Sequence, residues 1–360
     1  MKKKILHVIN SMTTGGAETL LANSLSQGGL QEHTDNMVVY LQGSSHLINL
    51  IDKNVKIHCL HYEGIFNLPA TLRKLRKIIK QYDPDIVHTH LSPAGVYTHW
   101  ACPATVPQVH TVHTTYSMDT EARPMIRLLD RYFYFNRRNC NLILLSEFTK
   151  RDILKAIPFR GNAFVLNNFV PDIFFKNSVR RHNEANGQLK LMAAGTLKEL
   201  KNFEYLLEVF KYLKDQEIYL DIFGAGDKTK YEQVIKADNL KVRMMGYRED
   251  MTTVFTEYDM FILPSKFEGF PLVVFEAMAS GVPLLLSNIA PVKSIVNEHA
   301  VYFELDNAEA AADVINSVWD KKIDIDNMAK NAKTYAEGKV RREIYINNLL
   351  EIYANVKPNT

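Results

Sequence analysis

The sequence predicts an α/β protein of two domains, each a parallel sheet with crossover helices. Short apolar runs alternate with amphipathic stretches, a polar stretch interrupts that alternation near the middle, and the same alternation then starts again. In the first half Ile5–Ile9, Met37–Leu41, Val55–Leu60, Ile86–His90, Val109–His113 and Leu142–Leu145 read as strands. The polar run Asn177–Glu184 marks a linker. In the second half Leu189–Ala194, Tyr219–Phe223, Val242–Met245, Met260–Leu263 and Val282–Leu286 read as strands. Between the first two of these, Phe203, Leu206, Leu207, Phe210 and Leu213 recur at helical spacing, with Asn202 placed to cap the helix. These signals divide the chain into a domain over 1–175, a second over 185–335 and a tail over 336–360. In the tail Ile346, Leu349, Leu350 and Tyr353 form an apolar helix face that can pack on either domain.

Composition narrows the function classes. Forty-three basic against 40 acidic residues leave a net charge of +3, so no global field favours nucleic acid. Cys59, Cys102 and Cys140 are odd in number and widely spaced, which speaks against a disulfide framework or a zinc site and fits a reducing cytoplasm. The basic start Met1–Lys4 is followed by a run too short, and interrupted by His7, for a signal peptide. No apolar stretch approaches the roughly 18–20 residues that span a bilayer.

The richest segment runs from Ser265 to Pro283. A strand ends at Pro264, a glycine-bearing turn follows, and Pro271 stands where a first helical turn accepts proline. The N–H groups of Phe270, Leu272 and Val273, with the helix dipole, are then expected to face an anion such as a diphosphate. Glu268 precedes that helix and Glu276 lies inside it, so both carboxylates can accept hydroxyls along one wall. Taken alone, they read better as a carboxylate favoured by a helix dipole and a solvated helix residue. The small and apolar residues around Glu276, which bury the helix, tip the balance to two carboxylates along one wall. His88 and His90, with His99, His110 and His113 nearby, raise a metal site; no cysteine or carboxylate joins them at a ligand-like spacing, and none is expected.

The Glu-x7-Glu segment, with Glu-Gly-Phe-Pro at Glu268–Pro271 and Glu-Ala-Met-Ala-Ser-Gly-Val-Pro at Glu276–Pro283, resembles the signature of the large retaining GT-B glycosyltransferase family 4, the glycosyl transferases group 1. Other landmarks follow in that family's order. Gly15-Gly16 resembles the glycine turn after the first strand that lets donor phosphate and sugar approach the backbone. Val109–His113 is similar to the strand ending in a histidine that contacts the donor sugar. Gly195–Asn202 resembles the Gly-Arg-Leu-x-x-x-Lys segment whose cations neutralise the diphosphate; Lys201 matches, but Thr196 replaces the arginine and removes a bidentate fork, so either Lys198 supplies the second charge or one cation and the helix N-terminus hold the leaving group. Gly224-Ala225-Gly226 and Gly246-Tyr247-Arg248 are similar to the loops beside the nucleotide base, and the missing third glycine argues against a nicotinamide cofactor.

The resemblance implies two Rossmann-like domains facing across a cleft, the first for acceptor and the second for a nucleotide-sugar, UDP-linked before GDP-linked. It also implies no cofactor and no catalytic metal, a glycan or lipid-linked acceptor, and work in bacterial surface polysaccharide assembly. Glu268 and His113 would act on the donor sugar, Lys201 and the Phe270–Val273 amides on the leaving group, and Glu276 on the ribose. Arg73, Lys74, Arg76, Lys77 and Lys80 form a basic amphipathic helix, and Arg123–Arg138 interleaves Arg127, Arg131, Arg137 and Arg138 with Tyr132, Phe133, Tyr134 and Phe135. Both read equally as solvated faces or as contacts to an anionic membrane at the inner face of the cytoplasmic membrane. A nucleotide-sugar 2-epimerase and a non-catalytic nucleotide-sugar-binding or membrane-docking protein are the rival functions.

Overall fold

The computed structural model describes residues 2–13, 15–43, 46–113, 128–129, 132, 140–157, 159, 161–176 and 187–356. The chain forms two compact units, Met1–Asn168 with Arg342–Thr360, and Phe169–Arg341. The first unit therefore takes the last helix, Arg342–Asn355, whose Tyr345, Ile346, Leu349, Ile352 and Tyr353 are buried. The Asn177–Glu184 linker lies outside the described residues.

Among the described residues the first unit holds seven parallel strands: β1 (Lys4–Ile9), β2 (Asp35–Tyr40), β3 (Lys56–Cys59), β4 (Ile86–His90), β5 (Gln108–Val112), β6 (Cys140–Leu144) and β7 (Asn162–Val165). Their order is β3-β2-β1-β4-β5-β6-β7. Helices cover both faces of such a sheet, so its central strands are continuous apolar runs rather than alternating ones. Accordingly all of β4, and all of β1 after Lys4, is buried. The helix Leu68–Tyr82 lays Leu75, Ile79 and Tyr82 against Leu6, Val8, Met37, Val39 and Val87, leaving its basic residues outside.

The second unit holds β8 (Leu189–Ala194), β9 (Ile218–Phe223), β10 (Val242–Gly246), β11 (Met260–Leu263), β12 (Leu284–Ser287) and β13 (Val301–Phe303) in the parallel order β10-β9-β8-β11-β12-β13. Helix Phe203–Lys211 buries Phe203, Leu206, Leu207 and Phe210 against Leu191, Ala193, Leu220 and Ile222. Asn202 precedes this helix in a left-handed conformation, φ 55°, and its side chain makes no capping bond, contrary to the sequence expectation. The two strands absent from the sequence reading, β7 and β13, are edge strands of four and three residues. Half-exposed edges of that length carry too short an apolar run to be read locally.

Candidate active site

In open parallel sheets, ligands bind beyond the carboxyl ends of the strands where the strand order reverses. In the second unit that point lies between β8 and β11, which pair directly. The segment after β8 carries Gly195 to Lys201, and the segment after β11 carries Ser265 to Val273. Lys201 Nζ donates to Glu268 Oε1 at 2.7 Å, and Ser265 Oγ donates to the same oxygen at 2.5 Å. Glu268 is 8 % exposed and Ser265 fully buried, so this is a shielded charge pair with one neutral donor attached. Ser265 is not singled out by the sequence; a serine four residues before the turn glycine, Gly269, carries no local signal.

Glu276 is the fifth residue of the helix Leu272–Ser280. Some of its surface stays open, yet its carboxyl lies deep enough that desolvation lifts its pKa to about 7, while the Lys201 charge pulls the other way. Lys201 thus stands in the field of both predicted carboxylates. The glycines explain how it gets there. A side chain on Gly224 would overlap the Gly195 carbonyl, and one on Gly195, at φ +157°, would press on Lys201 Cε at 3.3 Å. Only glycine lets the ends of β8 and β9 close up beneath the lysine.

Two details of the expected anion site change. Pro271 is the residue before the helix, not its first, with Leu272 opening it. Leu272 N–H donates to Phe270 O at 2.9 Å and is not available to a ligand, which leaves the amides of Phe270 and Val273 from the predicted set. Thr196 and Lys198 are exposed. Gly246 ends β10 at φ +74° and its carbonyl accepts from Gly224 N–H at 2.9 Å. Tyr247 beyond it is 59 % exposed, with its ring open for stacking. Arg248 is instead bound to its neighbour Asp250 by two hydrogen bonds of 2.7 and 2.6 Å.

In the first unit the order reverses between β1 and β4. Asn10, past the end of β1, joins the two strand ends by donating to Ser92 O at 2.7 Å and accepting from Ala94 N–H at 2.9 Å. Gly15 precedes helix Gly16–Ser24, and a side chain there would collide with the Glu18 carboxylate. A side chain on Gly16 would meet nothing within 4 Å, so packing does not account for that glycine. His113 lies one residue past the end of β5, where the sequence reading had it as the last residue of the strand. Behind it the parallel register sets His7 of β1 beside His88 of β4. His7 Nδ1 lies 3.4 Å from His90 Nε2, and His90 Nδ1 lies 3.5 Å from His113 Nε2. Burial lowers the pKa of His7 and His110 to about 4 and of His113 to about 3, and holds His88 and His90 well below the imidazole range. All are neutral at pH 7.

Among the described residues, the nitrogens of His7, His88 and His90 gather within 4.8 Å, close enough to raise a metal site. Both His88 nitrogens, however, face hydroxyls, Tyr353 Oη at 2.6 Å and Thr111 Oγ1 at 2.7 Å. Both His88 nitrogens are thus already hydrogen-bonded, whereas a zinc ligand presents a bare nitrogen to the ion.

Arg73, Lys74, Arg76, Lys77 and Lys80 are all exposed on the Leu68–Tyr82 helix. The turn before it exposes Ile65 by 63 % and Phe66 fully, which the sequence reading missed because two apolar residues in a loop look like core. Of the Arg123–Arg138 stretch only Leu128, Leu129 and Tyr132 are described; its arginines, Phe133, Tyr134 and Phe135 lie outside the described residues.

Comparison with known proteins bears on the whole chain. Residues 15–172 match the family described as Glycosyltransferase Family 4, and residues 174–335 match Glycosyl transferases group 1. The chain belongs to the group 1 glycosyltransferases. It is an enzyme of the glycosyltransferase class with the GT-B pair of Rossmann-like domains. Over 289 residues it is 29 % identical to the Escherichia coli UDP-Gal:alpha-D-GlcNAc-diphosphoundecaprenol alpha-1,3-galactosyltransferase, covering 73 % of each chain. Its fold is similar to that of a Rickettsia africae glycosyltransferase, at a TM-score of 0.80, 18 % identity and coverage of 99 % of this chain and 98 % of that one. It is equally similar to Anabaena HepE, solved with UDP and glucose, at a TM-score of 0.81, 16 % identity and coverage of 98 and 99 %.

Proposed function

We propose that this glycosyltransferase moves a sugar from a UDP-sugar to a lipid-linked or glycan acceptor, with retention, in bacterial surface polysaccharide assembly. The observation that carries the reading is the shielded Lys201–Glu268–Ser265 cluster at the switch point of the second sheet, with Glu276 in the same field. The name of the E. coli relative, a UDP-galactose enzyme with a diphosphoundecaprenol acceptor, supports the donor and acceptor classes.

On this reading Glu268 accepts hydroxyls of the donor sugar and is oriented by Ser265. Lys201, with the amides of Phe270 and Val273, meets the negative charge that grows on the departing diphosphate. Glu276 accepts from the ribose, Tyr247 packs by the base, and Gly15 and Gly16 leave backbone open to phosphate and sugar. His113 binds hydroxyls of the sugar. Substitution proceeds on one face: the bond from the anomeric carbon to phosphate oxygen breaks, the bond to the acceptor oxygen forms, and the acceptor's hydroxyl proton passes to the departing phosphate. Glu268 is assigned to the sugar hydroxyls rather than to the anomeric carbon, so a glycosyl-enzyme is not invoked. The charge is met by protein groups, so the reading calls for no resident metal or cofactor.

Transfer assays with UDP- and GDP-sugars on a polyprenyl diphosphate-linked sugar test the reading, alongside thermal melts with the same nucleotides. A nucleotide at a hundred times its Kd raises stability by about 2.7 kcal/mol, several degrees for a chain of this size. We expect UDP to raise the melting temperature and GDP to do so less. Tight UDP binding with no transfer to any acceptor would return the non-catalytic alternative, and interconversion of the free UDP-sugar at C2 would return the epimerase.

The membrane contact is part of the same proposal, carried by the fully exposed Phe66 in the turn that leads into a helix with five exposed cations. Each cation near an anionic surface contributes about 1 kcal/mol. Reversing Lys74, Lys77 and Lys80 to Glu should therefore weaken partition onto phosphatidylglycerol vesicles by more than about a hundredfold. Phe66→Ala should weaken it further without affecting solution activity on a water-soluble acceptor. Equal partition of the wild type onto neutral phosphatidylcholine vesicles would contradict this placement.

A further inference from the structure

We infer that Asn36, His7 and His90 hold His113 in the tautomer that carries its hydrogen on Nε2, so that His113 meets the donor sugar as a hydrogen-bond acceptor through Nδ1. The inference rests on the donor-sugar contact assigned to His113 above and adds the three residues that set its polarity.

The direction is set at the far end. Asn36 is 3 % exposed, and its Nδ2 donates to Thr34 O at 3.1 Å. Turning the amide over would oppose two carbonyl oxygens at that distance, so Oδ1 is the atom that faces His7 Nε2 at 3.3 Å. A carbonyl oxygen only accepts, and His7 Nε2 must therefore carry hydrogen. A neutral imidazole has one N–H, which leaves His7 Nδ1 bare and makes His90 Nε2 the donor across 3.4 Å. The same step leaves His90 Nδ1 bare and makes His113 Nε2 the donor across 3.5 Å. Burial keeps His7 and His90 neutral, so the count of one hydrogen per ring holds. The opposite polarity at His113 would set two bare nitrogens face to face at one joint in a buried site.

The links are long, and their effect is on polarity rather than strength. His88 stands outside the chain although it stacks on His90 at 4.2 Å, because its own nitrogens are taken by Tyr353 and Thr111. His113 is partly exposed and makes no other hydrogen bond among the described residues. Its Nδ1 lone pair is what remains to accept a sugar hydroxyl.

The test is the ring-nitrogen spectrum of the full chain labelled with 15N-histidine at pH 7.5, with signals assigned by single substitution. His7, His90 and His113 are each expected to show a protonated Nε2 and a bare Nδ1. A protonated Nδ1 on His113 in the wild type would overturn the relay whatever the enzyme's activity. So would uptake of one equivalent of added Zn2+ that displaces the Nε2 hydrogens of His7 and His90. Asn36 Oδ1 is the acceptor that fixes this polarity. Asn36→Leu removes it, and His113 should divide between the two tautomers. The donor KM of that variant should rise about three- to tenfold with kcat nearly unchanged, as loss of an interaction present in both ground and transition states requires. Mixed tautomers with an unchanged donor KM would overturn the sugar contact while leaving the relay standing.

Discussion

Lys201→Ala is expected to lower the rate of sugar transfer by about 10²- to 10³-fold, the loss seen when one preorganised group facing a developing negative charge is removed. Glu268→Gln keeps the shape and the oxygen that accepts from Ser265, and is expected to cost about a hundredfold by weakening the grip on the sugar hydroxyls. The two losses should not add. Lys201 and Glu268 share a 2.7 Å ion pair, and Lys201→Ala leaves a carboxylate 8 % exposed with only a neutral partner. Breaking such a pair from one side costs stability that removing both charges restores. The double variant should thus melt closer to wild type than Lys201→Ala does, while its transfer rate falls to about that of the worse single variant. Transfer by Lys201→Ala within threefold of wild type would remove the lysine from the leaving-group site. The melting series would then assign the pair to structure alone.

Acid should unfold the first unit before the second. In the folded state burial holds His7 and His110 at about 4, and His88 and His90 well below the imidazole range. In the unfolded chain each titrates near 6.5. A base whose folded pKa is lowered contributes its full stability above the unfolded value and loses it as pH falls toward the folded one. Between pH 6.5 and about 4 the unfolded state binds the additional protons. Each group then costs about 1.4 kcal/mol per pH unit, so four buried histidines give an upper bound of about 8 kcal/mol at pH 5, similar to the whole stability of a typical domain. Calorimetry at pH 7.5 and 5.5 should show a first-unit transition displaced downward by on the order of 10 °C or more. His110→Leu should flatten that slope by about one proton. A melting temperature flat between those pH values would contradict the burial of these imidazoles in neutral form.

Much of the chemistry was legible in the chain because it is local. Continuous apolar runs mark most of the strands, since burial on both faces demands them in the middle of a sheet. The segment from Glu268 to Glu276, the lysine six residues after Gly195 and the glycines near the strand ends each sit within a few residues of the turn that needs them. Helix Leu68–Tyr82 shows its basic outer face by spacing alone.

What the sequence could not supply was strand order, because pairing depends on contacts between residues far apart in the chain. The ends of β8 and β11 meet only because the order reverses there, and this brings Lys201 to Glu268 across 67 residues. Pairing of β1 with β4 likewise brings His7 to His90 across 83 residues and makes a chain of histidines that no spacing rule joins. Local hydrogen-bond competition was equally out of reach: Leu272 spends its N–H on Phe270, and Arg248 turns to Asp250. The sequence by itself determined the fold class and the residue types at the phosphate and sugar positions, because periodicity and turn chemistry are short-range. Only the tertiary structure decided which side chains share a site and which way their hydrogens point, because both follow from long-range register and burial.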